Sequence, residues 1–162
     1  MDSVTPEIAE PLYFEDLAVG QKFTSEAYEM DAKRIKEFAA EFDPQSFHLD
    51  ETAAKESVFR GLAASGWHTA AVAMRLLTTS GLNFANGILG LGGEISWPRP
   101  TRPGDTLRVE SEIVEIRPSR SKPHDGIVTL RSTMLNQNGE AVYLLTAKLL
   151  VARRPRGIDS EP

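Results

Sequence analysis

The chain has no cysteine in its 162 residues. That excludes a disulfide framework, a thiolate metal centre and a cysteine nucleophile. Histidine is scarce as well, with three residues, so imidazole chemistry has few candidates: His48, His68 and His124. No stretch reaches the ~18 consecutive apolar residues of a membrane span. No run of Lys and Arg forms a polybasic patch, and the net charge is −5, which disfavours nucleic acid as a partner. Met1 to Pro11 has no apolar segment of the secretory-signal kind. Together these absences lead to the expectation of a cytoplasmic protein with no nucleic-acid and no membrane partner.

The apolar fraction of 41% and the charged fraction of 25% are those of an ordinary globular domain. At this length one domain is expected: a tail over 1–11, a single domain over 12–152, and a second tail over 153–162. Gln21 to Met30 reads as a strand. Asp31 is a suitable N-cap, and behind it Ile35, Phe38, Ala39 and Phe42 fall on one helical face. Pro44 disfavours helix at Asp43, so the segment from Asp43 to His48 is predicted to be extended or turned. Asp50 caps a short helical piece. Ser65 caps a longer helix from Gly66 to about Ser80, which carries Arg75 as its only full charge. Such a helix is expected to be buried on most of its circumference, with Trp67 and Met74 in the core.

The remainder alternates as strands: Ile88 to Trp97 with glycines at 90, 92 and 93, then segments around Leu107 to Ile113, Val128 to Met134 and Ala141 to Val151. Asn138 and Gly139 make a hairpin turn. Helices followed by antiparallel strands give an α+β class with the helices on one face of the sheet. A single long apolar helix wrapped by such a sheet describes the hotdog fold. Its extended sheet leaves an edge that a second copy can pair, so a homodimer is expected.

Asp43 and His48 lie five residues apart on the segment read as irregular. A carboxylate beside an imidazole can hold and activate a water near neutral pH. An Asx turn before Pro44 and a half-buried loop histidine would account for the same residues. Ser65 and Gly66 open a helix whose first N–H groups have no internal partner, which suits an oxygen that gains negative charge. An ordinary Ser cap with a packing glycine is the competing account. His68 reads as a satisfied core or interface histidine, and His124 as solvated. Arg60, Arg99 and Arg102 sit at turns. His48, Asp50 and His124 form a remote candidate for a two-histidine, one-carboxylate iron site, although Asp50 is better explained as a cap.

The run Asp43, Pro44, Gln45, Ser46, Phe47, His48, Leu49 and Asp50, followed by Ala54, Phe59, Ser65 and Gly66, resembles the MaoC-like dehydratase family, which includes the (R)-specific enoyl-CoA hydratases. A second motif, aromatic-x-x-Pro-Val-x-x-Gly-Asp in that family, stands here as Trp97, Pro98, Arg99, Pro100, Thr101, Arg102, Pro103, Gly104 and Asp105. The resemblance runs from about Leu12 to Val151. It implies a hotdog fold and a dimer with the acyl-CoA site between protomers. It implies Asp43 and His48 as catalytic residues and the Gly66 amide as an oxyanion hole, with Ser65, Gln45 and Phe47 in the substrate-binding region. It implies no metal and no redox cofactor, with the CoA thioester as substrate. The reaction would be hydration of a trans-2-enoyl thioester or its reverse. A hotdog thioesterase and a non-catalytic acyl-thioester-binding subunit are the alternatives. Gln45 replaces the family's usual Asn, Ser46 its Pro, and Ser65 its frequent His. Where the hydratases carry a serine two turns into the helix to steady the aspartate, this chain offers Met74, with Thr78 and Thr79 further along. Gly90, Gly92 and Gly93 are expected to flank the acyl tunnel.

Overall fold

The computed structural model describes residues 9–157. The outermost parts of both expected tails, 1–8 and 158–162, lie outside the described residues. A 3-10 turn, Phe14–Asp16, leads to two short strands, β1 (Lys22–Thr24) and β2 (Tyr28–Glu29). The expected continuous strand over this stretch is therefore broken at Ser25 to Ala27. There the Ser25 hydroxyl accepts from the Val109 N–H at 2.8 Å and donates to the Glu26 carbonyl at 2.7 Å, so a side chain takes the place of a backbone acceptor in the ladder.

Helix α1 (Ala32–Phe42) begins as the sequence predicts, with the Asp31 carboxylate accepting from the Arg34 N–H at 2.8 Å. Its inner face carries Ile35 and Ala39, both fully buried. Two short helices follow, α2 (Ser46–Leu49) and α3 (Glu51–Lys55). His48 thus stands on a single helical turn and not on the irregular backbone expected. The proline constrains only the residue before it, and the chain is free to turn helical from Ser46.

Helix α4 (Gly66–Thr78) lies against the sheet and sends Val72, Ala73, Leu76 and Leu77 into the core. Four long strands follow: β3 (Leu89–Ser96), β4 (Thr106–Pro118), β5 (Asp125–Leu135) and β6 (Ala141–Ala152). The antiparallel order is β1-β4-β5-β6-β3, with β2 also on β4. Leu107, Val109 and Ile113 of β4 alternate inward as the sequence predicts, and meet Val128, Leu130 and Met134 of β5 under the helix. The register of β3 on β6 shifts between Gly90 and Gly92. Gly92, at φ +144, supplies the backbone that this bulge requires.

Two core expectations fail on α4. Trp67 is 60% exposed and Met74 is 42% exposed. The helix is buried on the face toward the sheet but open on the other, where Trp67, Ala71 and Met74 form a stripe. Strand β3 closes one end of the sheet and is exposed along its whole length. At the chain's end, Arg153 and Arg154 are docked: the Arg153 N–H donates to the His124 carbonyl at 2.9 Å, and the Arg154 guanidinium holds both carboxylate oxygens of Asp16.

Candidate active site

The short helix α2 and the start of α4 meet at one point. His48 is 4% exposed. Its Nδ1 lies 2.6 Å from the Ala63 carbonyl oxygen. A carbonyl only accepts, so Nδ1 carries a proton and Nε2 is the ring nitrogen left for other partners. Nε2 faces Asp43 Oδ2 at 3.3 Å. With neutral imidazole and ionised carboxylate, two acceptors confront each other. The pair therefore requires a proton between them, or a water that donates to both.

Asp43 is held from its other side. Gln45 Nε2 donates to Asp43 Oδ1 at 2.6 Å. Burial works to raise the carboxyl pKa, but the Gln45 amide, the Ser65 hydroxyl and the His48 imidazole all favour the charge, and the balance holds Asp43 below the usual carboxylate range. Ser65 is fully buried and also caps α4, accepting from the Trp67 N–H at 3.3 Å. Two of the three substitutions in the motif, Gln45 and Ser65, are thus the groups that steady the aspartate. The positions suggested for that task do not perform it: Met74 points to solvent, and Thr78 and Thr79 both donate to the Arg75 carbonyl.

The Gly66 N–H opens α4 and has no acceptor among the described residues. Trp97 lies across this glycine. Its indole N–H donates to the Gly66 carbonyl at 2.9 Å, and a Cβ at position 66 would sit 2.9 Å from Trp97 Cε2. Glycine is required there for close approach of the indole. A cleft of about 410 Å³ opens beside these groups. It is lined by Gln45, Phe47 and His48, by Phe59, Ala64, Gly66 and Thr69, and by the turn from Trp97 to Thr101.

The structure thus gathers Asp43, Gln45, Phe47, His48, Ser65 and Gly66 in one place. It separates others. Gly90, Gly92 and Gly93 are not among the cleft's lining residues, and Gly93 instead packs its Cα against the backbone of Thr146 and Ala147. Asp50 caps α3 by accepting from the Ala53 N–H at 2.7 Å, and His124 lies in a different cavity with Arg153 and Arg156. No group of three metal-capable side chains forms among the described residues. His68 is buried as expected but not satisfied. It stacks on Phe38 with ring centroids 4.7 Å apart, and its Nδ1 has no partner. Burial chiefly lowers its pKa, opposed by Asp31 and assisted by Arg34.

Sequence reasoning missed four contributors. The Ala63 carbonyl acts through backbone, which no side chain announces. Thr69 and Thr101 carry no motif weight. Arg102, read as a turn arginine that could meet phosphate, turns inward: it donates to the carbonyls of Phe59, Gly61 and Leu62, the last two at 2.9 and 3.2 Å. It thereby fixes the loop that delivers Ala63.

An antiparallel sheet folded on one helix is the hotdog fold, which the chain shares with solved structures of a MaoC-like dehydratase and an R-hydratase. The chain belongs to the family of the MaoC like domain, whose model matches residues 15–135. It is similar to the MaoC-like dehydratase of Rhodospirillum rubrum, with 60% identity and a TM-score of 0.86 over 89% of this chain and 99% of that one. It is similar to the R-hydratase PhaJ1 of Pseudomonas aeruginosa, at 26% identity and a TM-score of 0.72 over 89% of this chain and 88% of that one. It also shares 39% identity over 70 residues with the mesaconyl-CoA hydratase of Cereibacter sphaeroides, a stretch that is 43% of this chain and 20% of that protein. Among the described residues no helix is long and apolar enough to cross a membrane.

Proposed function

We propose that this protein is a hydro-lyase that adds water across a trans-2-enoyl-CoA thioester, or removes it from the 3-hydroxyacyl thioester, with Asp43 and His48 as the catalytic pair. The observation that carries this reading is the fixed orientation of the His48 ring. Its Nδ1–H is committed to the Ala63 carbonyl, and its Nε2 faces the Asp43 carboxylate at 3.3 Å. A water whose two protons point at Nε2 and Oδ2 presents an oxygen lone pair to the cleft.

In hydration that oxygen bonds to the β-carbon and one of its protons passes to the pair. The π electrons of the double bond move to the α-carbon and onto the thioester oxygen. The free N–H of Gly66 donates to that oxygen while it carries charge. The pair then returns a proton to the α-carbon, and the net change is addition of one water. Dehydration is the same path reversed. Every group required is an acid, a base or a hydrogen-bond donor, so the chemistry calls for no metal and no redox cofactor. The hydratase name of one relative and the R-hydratase name of another agree with this class of reaction.

The same reading takes the protein as a cytoplasmic homodimer. An edge strand is exposed over its whole length, with Leu91 at 53% and Ile95 at 39%, and Trp97 just beyond it meets Trp67 of the open stripe of α4. An apolar edge of this kind is a pairing surface, and a second copy supplies a matching strand.

The test is the loss of enoyl-thioester absorbance on adding the protein to crotonyl-CoA and to a longer trans-2-enoyl-CoA, with Asp43→Asn and His48→Gln alongside. Hydration by the wild type and a loss of ~100-fold or more in both variants is the expected result. Release of free CoA thiol from a saturated ester, with no hydration, would replace this reading by a thioesterase.

A further inference from the structure

Two buried hydroxyls interrupt the mainly apolar lining of the cleft, where an acyl tunnel needs only apolar surface. Thr69, one turn into α4, and Thr101, before β4, are each 2% exposed and both line the cleft. Thr69 Oγ1 donates to Thr101 Oγ1 at 3.1 Å. The two hydroxyls carry two protons and share one bond. The second proton, on Thr101, has no acceptor among the described residues. A buried donor left without an acceptor is costly, and valine would fill either place at no such cost. Thr101 stands where the turn motif of the family carries valine.

Aromatic rings of Phe47, Phe59 and Trp97 line the same cleft. Trp97 is fixed by its bond to Gly66 and by edge contacts with Trp67 and Tyr143, at centroid distances of 5.6 and 6.2 Å. Pro98 and Arg99, which line the cleft, are exposed; with the bulky carrier arm placed on that side, the acyl group points inward, toward the buried threonines. Arg99 engages Glu140 at 3.1 Å. A lone hydroxyl does not offset the desolvation of a carboxylate, so the complementary group is uncharged.

We propose that Thr69 and Thr101 form a specificity device of this site. They select a short acyl group that carries an uncharged oxygen acceptor, such as an ether, hydroxyl or keto oxygen, beyond the reacting double bond. This rests on the hydratase reading for the direction of the substrate. Thr69 positions Thr101, and Thr101 donates to the ligand.

The experiment compares matched esters in which an ether oxygen replaces one methylene. Binding of 4-methoxybutanoyl-CoA and hexanoyl-CoA, neither of which can be hydrated, is measured by calorimetry. Hydration is measured with trans-4-methoxy-2-butenoyl-CoA and trans-2-hexenoyl-CoA. The wild type is expected to bind the ether ester more tightly. In Thr101→Val that preference should fall about tenfold, the worth of one hydrogen bond, while Thr101→Ser keeps it. The proposal is overturned by equal ratios in wild type and Thr101→Val, by a wild-type preference for hexanoyl-CoA, or by binding of neither ester. Should Thr101→Val fail to fold, the wild-type ratio and Thr101→Ala decide. If the binding ratio shifts but no enoyl ester is hydrated, the hydratase reading falls and the threonine pair stands. If both enoyl esters are hydrated with an unchanged ratio, the pair falls and the hydratase reading stands.

Discussion

His48 Nδ1 and the Ala63 carbonyl oxygen are 2.6 Å apart, and this contact decides which imidazole nitrogen can act as a base. The carbonyl takes the proton-bearing nitrogen and leaves Nε2 for Asp43 and the cleft. Arg102 fixes the carbonyls of Phe59, Gly61 and Leu62 just upstream. The orientation of one side chain is therefore set by a second, 54 positions further along the chain.

The charge on Asp43 depends on Gln45 and Ser65. Both favour the ionised form, so removing either should raise the carboxyl pKa toward its ordinary value. A group needed in its ionised form loses activity as the pH falls through its pKa. The acid limb of kcat/KM should therefore move to higher pH in Gln45→Leu and in Ser65→Ala, relative to the wild type. Matching acid limbs in all three proteins would show that Asp43 is not titrating there.

Gly66 is shaped to Trp97. A methyl group at 66 would press on the indole at 2.9 Å. Gly66→Ala should lower stability by about 1–3 kcal/mol, as overpacking does. Trp97→Ala removes the obstacle, so the double variant should be more stable than the sum of the single losses. Chemical denaturation of the four proteins measures this. Additive losses would mean that the indole moves aside freely.

His68 is buried neutral, and its folded pKa lies below the ordinary value of 6.5. The unfolded chain then binds a proton that the folded chain refuses. Stability is full above that ordinary value and falls as the pH drops from it toward the folded pKa. The groups facing His68 are Asp31, Arg34 and Phe38. His68→Phe should flatten the slope of unfolding free energy between pH 7 and 5. A slope equal to that of the wild type would assign the pH dependence elsewhere.

The exposed edge strand gives a prediction about assembly. The wild type should sediment as a dimer, and Ile95→Arg on β3 should yield a monomer, because an unpaired charge in a buried strand edge opposes pairing. Analytical ultracentrifugation reads the outcome directly. A wild-type monomer at micromolar concentration would leave β3 as a bare edge in solution.

Much of this molecule is legible in the amino-acid order. Asp31, Asp50 and Ser65 are caps because a short polar side chain before an apolar period has one economical use. Leu107, Val109 and Ile113 alternate, so β4 is half buried. Asp43, His48 and Gly66 are candidates by residue chemistry, and the resemblance of two motifs to the MaoC-like family singles them out. Local rules reach that far because caps, turns and periodicity involve neighbours in sequence.

The rest belongs to tertiary structure. No local signal says that Trp67 and Met74 face outward, because a helix apolar on all sides does not record which side the sheet covers. None says that Arg102 serves three carbonyls, that Ser65 reaches Asp43, or that Thr69 meets Thr101 from 32 residues away. From residue order alone come the fold class and the candidate pair, Asp43 and His48. Only the fold decided the orientation of the His48 ring, the two hydroxyls in the cleft's lining and the strand left unpaired at the edge. Each of those depends on the distance between segments that share no local pattern.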